Sequence, residues 1–287
     1  MSGRPLVGTG PGTAPARPRR APSSASDVLG GLVLFGLASL AFLVLLAPSL
    51  VVVLISFDGR EYIGFPPESL SVRWYRALWR HAQLLDAAAV SLRTAAHVAF
   101  GCLALGVPAA YALVRGRFPG KAALTAFLVA PQMMPGLVIG VSVLFFGAYF
   151  AFRASHAMLV LSLTVFCLPF VVRIVMARLA GLDPALEEAS SGLGAGRLQT
   201  FQLVTLPQIG AAVLAAGALA FIEAFDNVTI APFTSSARGR PLPVELYYLV
   251  QYDSSPLVAA VSAVEILFAF LVVVVAARTV GLDKIQA

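Results

Sequence analysis

The sequence predicts an all-α, polytopic transmembrane protein of about six spans, on three observations: little charge, high hydropathy and long uncharged runs. Of 287 residues, 59% are hydrophobic and 12% charged, and the mean hydropathy is +0.88. A soluble domain carries about 25% charged residues, because it must cover an aqueous surface. Half that share leaves much of the exterior to lipid. Apolar runs of about 20 residues, the length a bilayer core demands, recur along the chain. Each must be helical in hydrocarbon, since an open strand edge would leave its amides unpaired.

Residues 1–27 are rich in Pro, Gly, Ser and Arg and lack apolar periodicity, which predicts a disordered tail. Arg19 and Arg20 ahead of a long apolar run could suggest an export signal. Residues 28–56 carry no charge at all, however. That run far exceeds the ~7–15 residues of a signal core, and no A-x-A site follows. It reads as an uncleaved first span, with the arginines as a topology mark. Further runs at 94–114, 122–152, 154–172, 209–233 and 256–277 supply the other spans. Cys102 and Cys167 fall inside two of them and read as small buried hydrophobes, not as a disulfide or a metal site.

Orientation follows from Lys and Arg. With the N-terminus inside, cytoplasmic segments gather the tail arginines together with Arg115, Arg117, Lys121, Arg173, Arg178 and Arg197. The net charge of +6 is therefore read as orientation, with both termini cytoplasmic, and not as a nucleic-acid footprint. The first outer loop, 57–87, holds Trp74, Tyr75 and Trp79, which suit a membrane interface and its lipid.

Pro131 and Pro135 break the hydrogen-bond ladder of the third span, and Gly136 and Gly140 follow them. Such a break bends a helix, and small residues let a neighbour approach closely. A gate and a tightly packed interface are both open.

Between the fourth and fifth spans, residues 181–208 are too polar to cross a membrane: GLDPALEEASSGLGAGRLQTFQLVTLPQ. Asp183 is a natural N-cap, Pro184 suits the first helical position, and Glu187 and Glu188 favour a positive first turn. A short helix over 184–191 follows. Gly192, Gly194 and Gly196 then permit a sharp reversal. A second short helix over 197–204 is expected to end ahead of Pro207. A helix–turn–helix across the membrane face suits docking into another protein's groove. An amphipathic surface hairpin is the plainer alternative.

The spacing Glu188-Ala189-Ser190, then Gly194, then Val204-x-Leu206-Pro207 resembles the "EAA" loop of ABC-importer permeases. Ser190 stands where that pattern has a second alanine, and Val204 where isoleucine is usual. More of the chain resembles the spermidine/putrescine-type branch: Ser71-Val72-Arg73-Trp74-Tyr75, Ser91-Leu92, Ala110-Tyr111-Ala112-Leu113, Pro131 and Pro135, and Phe225-Asp226-Asn227-Val228 through Leu242-Pro243-Val244. The likeness spans 28–284, and implies a permease domain over that stretch whose loop 181–208 couples it to an ATPase. On that resemblance Glu188, Ala189, Gly194, Leu206 and Pro207 shape and anchor a docked helix. It further implies an inner-membrane location and partners: a second related permease chain, two copies of a cytoplasmic ABC ATPase, and a periplasmic or lipoprotein binding protein. A polyamine or related small organic cation is the implied cargo. The same branch handles other solutes, such as amino-phosphonates, opines, thiamine and ferric iron.

No nucleotide site of its own is expected. Gly192-x-Gly194-x-Gly196 lacks a third glycine at Arg197 and a preceding strand, and 116–122 is one residue short of a phosphate loop and lacks its Ser/Thr. His81, His97 and His156 are dispersed without metal spacing, and no neighbouring pattern nominates a nucleophile. The chain reads as a non-enzymatic subunit without cofactor or metal, its ATP hydrolysed by a partner.

Three acids lie inside the spans: Glu223 and Asp226 in the fifth, Glu265 midway along the sixth. A charge at a helix centre costs roughly 2.5–3.5 kcal/mol, so each should face protein or water. Glu223 and Asp226, three apart, share a helical face. They could line a cation's path, or bond neighbouring helix groups or Arg93 and Arg173. A secondary transporter should show inverted repeats, and none is evident. A non-transporting scaffold would need no intramembrane carboxylates.

Overall fold

The computed structural model describes residues 25–236, 239–252 and 255–280. The tail expected over 1–27 lies outside them, except that its last three residues already begin the first helix. Lys284, Arg238 and the end of the chain also lie outside. Among the described residues the fold is helical, with one isolated bridge, Asp58 to Leu70, and no extended strand. The chain divides into two compact units between Pro48 and Ser49.

Helix α1 is Ala25–Ile55. The loop that follows closes on a buried acid. Asp58, whose side chain is fully buried, accepts from the Arg60 backbone amide at 3.1 Å and from Arg60 Nε at 2.8 Å. Arg60 in turn donates to Glu68 and to the Pro66 carbonyl, both at 2.9 Å. The Arg60 guanidinium holds the Asp58 carboxyl below its ordinary range. A depressed carboxyl stabilises the fold above its unfolded value of about 3.9 and stops doing so as pH falls through its folded value. The Ser71 amide, which donates to Phe57 O at 2.7 Å, should keep constant exchange protection from neutral pH to about 4 and lose it below. Asp58→Asn should remove that acid step. Identical profiles for the two chains would contradict this role.

Helix α2 is Arg73–Leu78 and α3 is Ala82–Arg115. The second span thus begins twelve residues before the expected 94. Polar residues at its start find partners in the fold: Gln83 Nε2 donates to Glu245 at 2.9 Å, and Ser91 Oγ accepts from the Leu242 amide at 2.9 Å.

The third apolar run is a broken pair. Helix α4 is Lys121–Val129, continued by a tight 3₁₀ turn, Ala130–Met133, and α5 is Gly136–Tyr149. The two halves bend by 102° at the prolines. Counting this pair as one span gives the expected six, alongside five long helices, among the described residues. The glycines at that break sit against neighbouring chain. A Cβ on Gly140 would stand 3.2 Å from the Ile230 backbone, and one on Gly136 2.5 Å from Thr229 Oγ1. They permit close packing against the segment after the fifth span.

Helix α6 is His156–Ala180, capped by Ser155 Oγ, which accepts from the Met158 amide at 3.3 Å. Helices α7, Ala185–Gly192, and α8, Arg197–Thr200, form the interspan loop, and α9 is Leu206–Phe225. Helices α3, α6 and α9 share the core through Ala95, Val98 and Cys102, Leu163 and Val171, and Ala216 and Ala220. Small residues set their spacing: a Cβ on Gly106 would lie 2.8 Å from Val171, and one on Gly217 2.9 Å from Leu103. Both cysteines are free and buried, as expected.

The fifth span stops at Phe225 instead of running to 233. Asn227 Oδ1 accepts the Ile230 amide at 2.8 Å, and such a side-chain bond competes with the helical ladder. Helices α10, Ala231–Thr234, and α11, Leu242–Tyr252, follow, and α12 is Leu257–Val280. Helix α11 lies where the sequence predicts no element.

Candidate functional site

The loop is built from its caps. Asp183 Oδ1 accepts the Ala185 amide at 2.9 Å, and the Asp183 carbonyl accepts that of Leu186 at 3.4 Å. Glu187 and Glu188 occupy the first turn of α7, as expected. At the other end Gly194 has φ +90°. Its amide donates to Ser191 O at 3.0 Å and the Ala195 amide to Ser190 O at 3.2 Å. That 5→2 and 6→1 pair is a Schellman closure with glycine in its left-handed position. Gly196, by contrast, has φ −68°. Of these two glycines, only Gly194 needs to be one.

Beyond the reversal, Pro207 does not end the helix. Helix α8 runs into a widened turn, Phe201–Thr205, and through Leu206 into α9. The Leu206 amide donates to Phe201 O, five residues back, in place of the usual four. Pro207 has no amide to give, and its ring would crowd the carbonyl of a regular turn. A wider turn accommodates both defects. The helix–turn–helix is therefore one short helix hinged to the base of the fifth span.

The two glutamates of α7 diverge. Glu188 is exposed and its side chain makes no hydrogen bond or ion pair among the described residues, and Ala189 beside it is exposed as well. Glu187 faces the bundle, accepting from Arg115 Nε at 3.2 Å, Thr205 Oγ1 at 2.9 Å and Tyr111 OH at 3.4 Å. Ser190 hydroxyl lies 3.1 Å from that of buried Thr200, tying α7 to α8. Leu206 is half-buried and Pro207 exposed. Large apolar side chains stand out on the same loop: Leu193 is 92% exposed, Leu203 76% and Leu198 68%. Sequence reasoning missed Glu187, because two of its three partners come from the second span.

The second candidate region is at the unwound end of α9. Asp226 caps that helix and borders two cavities. One of about 300 Å³ is shared with Ser262 and Glu265 of α12 and with Phe221, Phe225 and Phe268. The other, about 370 Å³, is shared with Glu223, Asn227 and Thr229. The three acids expected to act together are thus brought to adjoining hollows. Phe225 and Phe268 pack at a centroid distance of 4.9 Å. Glu265 Oε1 is buried without a hydrogen-bond partner among the described residues.

Neither basic candidate neutralises these acids. Arg93 Nε donates to its own helix at Ala89 O, 3.2 Å, and Arg173 Nη1 donates to Gln132 Oε1 at 3.0 Å. A larger hollow of about 650 Å³ carries Arg173 and Gln132 among its lining residues and no acid. Unpaired carboxylates beside aromatic rings can hold an organic cation by charge and by ring faces.

Known proteins resemble this chain in sequence and in fold. The family described as "Binding-protein-dependent transport system inner membrane component" matches residues 103–282. The chain is similar to the spermidine/putrescine transport system permease protein PotC of Escherichia coli (strain K12), 30% identical over 257 residues that cover 90% of this chain and 97% of PotC. It is similar to the putrescine transport system permease protein PotI of the same strain, 34% identical over 230 residues that cover 78% of this chain and 82% of PotI. Among solved structures, a bacterial ABC transporter for import of the acidic polysaccharide alginate matches with TM-score 0.68. It is 18% identical, over 90% of this chain and 97% of that one.

Proposed function

The chain belongs to the family of binding-protein-dependent transport system inner membrane components, and from that premise we propose that its cargo is a polyamine such as spermidine or putrescine. It is a permease subunit of an ABC importer, set in the inner membrane. One observation carries the cargo assignment: Asp226 borders both cavities, one with Glu265 and one with Glu223, and no cation pairs with them among the described residues. Two relatives that carry polyamine names support the same reading. A cation leaving its binding protein exchanges water for these carboxylates and for the rings of Phe221, Phe225 and Phe268.

Translocation proceeds by alternating access, driven by two copies of a partner ATPase. A second, related permease chain completes the pathway, and a periplasmic or lipoprotein binding protein delivers the cargo. Both termini lie in the cytoplasm, which puts loop 181–208 on the ATPase side. Exposed Glu188, Ala189 and the apolar side chains of Leu193 and Leu198 form the docking face, held in shape by the Gly194 reversal. Leu206 and Pro207 join that face to the fifth span.

The test is gentle detergent purification of the full chain from its native membrane, with mass spectrometry of what accompanies it and labelled-spermidine uptake in the same cells. An ABC ATPase and a second permease should accompany the chain. With Glu188→Arg the ATPase should fall by roughly tenfold or more while the second permease stays, as for the loss of a central charged anchor. Recovery of the chain alone, under conditions that keep a known importer assembled, would overturn the assembly. Uptake unchanged by deletion of the chain would overturn the cargo.

A further inference from the structure

The Glu187 carboxylate gathers three elements at one point. It accepts from Arg115 at the end of α3, from Tyr111 one turn earlier, and from Thr205, the last residue of the widened turn beneath α9. Arg115 also donates through Nη2 to the Leu182 carbonyl at 3.2 Å, at the entrance to the loop. Tyr111 packs edge-on against Phe201, the first residue of that turn, at 5.1 Å. The ion pair is largely shielded, with 16% of the Glu187 side chain and 17% of the Arg115 side chain exposed. Thr205 is buried.

We propose that Glu187 is the positioning residue through which displacement of α7 reaches the second and fifth spans together. The inference rests on the importer reading above. Its physical basis is the division of labour between neighbouring glutamates. Glu188 is free for a partner, whereas Glu187 is spent on this chain's own spans. About 100° separates consecutive residues on a helix, so one short helix presents a face to each side. Displacement of α7 moves the Glu187 carboxylate, and a half-buried carboxylate does not leave its charged and hydroxyl donors readily. The segment it holds at Thr205 already lacks regular helical bonding, because of Pro207. That turn can yield without breaking a regular turn of α9. Arg115 carries the same displacement to α3. Without the carboxylate, α7 still has its caps and its outward face, and the ATPase can still dock. Its movement would then reach the spans through the backbone alone.

The experiment uses the complete complex in proteoliposomes, with ATP hydrolysis and labelled-spermidine uptake measured on the same sample. Glu187→Gln should keep the ATPase assembled and hydrolysing, while spermidine moved per ATP falls roughly tenfold. Thr205→Val, which removes one donor at little change in volume, should lower the same ratio by a smaller factor. Glu187→Asp should restore part of it. The exchange Glu187→Arg with Arg115→Glu should recover more than Glu187→Arg alone. A purely structural role predicts lower yield, with uptake and hydrolysis falling in step. An unchanged ratio in both Glu187→Gln and Thr205→Val would overturn the proposal; should Glu187→Gln fail to assemble, an unchanged ratio in Thr205→Val does so alone. Failure of the importer reading would appear separately, as a wild-type sample in which no ATPase accompanies the chain.

Discussion

Replacing Gly194 by valine is expected to leave the chain in the membrane at its usual amount while uptake falls more than about tenfold. The reason is backbone conformation and not crowding. Nothing lies within 4 Å of a Cβ built on Gly194, but its φ is +90°. A residue forced into such a region costs of order 1–3 kcal/mol, and a β-branched one stands at the upper end. The loop can relieve that strain by giving up the bonds from Gly194 and Ala195 to Ser191 and Ser190. Relief at that point swings α7 away from α8 and misplaces the face that carries Glu188. Gly194→Asn should be intermediate, since asparagine tolerates positive φ better than most residues. Gly196→Ala is the control: its φ is −68° and its nearest prospective neighbour is 3.8 Å away, so uptake should stay within about twofold of wild type. Uptake and ATPase recovery measured side by side decide the matter. Wild-type uptake in Gly194→Val, or equal damage from Gly196→Ala, would show that the reversal is not what the loop needs.

Much of this arrangement is legible in the amino-acid order, and the misreadings share a cause. The apolar runs are plain because lipid tolerates few charges, so the spans could be numbered. Their ends could not be placed wherever a polar residue finds a distant partner. Gln83 makes the start of α3 look like loop, yet its amide is satisfied by Glu245, 162 residues on. Asn227 looks compatible with a longer fifth span, but its side chain takes the Ile230 amide and ends the helix. Pro207 reads as a terminator by local rules, and the chain instead widens one turn to pass it. The loop repeats the lesson at residue resolution. Local capping logic found α7 and its two acids, and the family resemblance pointed to Glu188. That Glu187 holds the spans depends on Arg115 and Tyr111, 72 and 76 residues earlier, and no short-range pattern connects them. Helix α11 is illegible for a similar reason: Glu245 within it is buried on contacts with Gln83 and Arg240, so its polarity carries no sign of packing.

Neutralising Glu223, Asp226 and Glu265 together as amides should abolish polyamine uptake without loosening the protein. The two readings of these acids predict opposite changes in stability, which makes the variant decisive. Were the carboxylates fixing neighbouring helices, amides would leave donors unpaired and lower the thermal midpoint. Among the described residues there are no such bonds to lose: Glu265 Oε1 has no hydrogen-bond partner, and Arg93 and Arg173 are engaged elsewhere. An ionised carboxylate at membrane depth costs roughly 2.5–3.5 kcal/mol, so the amides should hold or raise the midpoint. Uptake should respond in the other direction. Each charge-assisted contact to an ammonium group is worth roughly 1.5–3 kcal/mol, or about 10–150-fold. Among single variants Asp226→Asn should be the most damaging, because Asp226 alone of the three borders both cavities. Glu265→Gln and Glu223→Gln each reach only one. The measurements are initial rates of labelled-spermidine uptake against binding-protein concentration, alongside the thermal midpoint of the purified complex. Unchanged uptake in the triple variant would remove these acids from the path. Lost uptake with a lowered midpoint would make them structural, and lost uptake at an equal or higher midpoint is the outcome that a cation pathway requires.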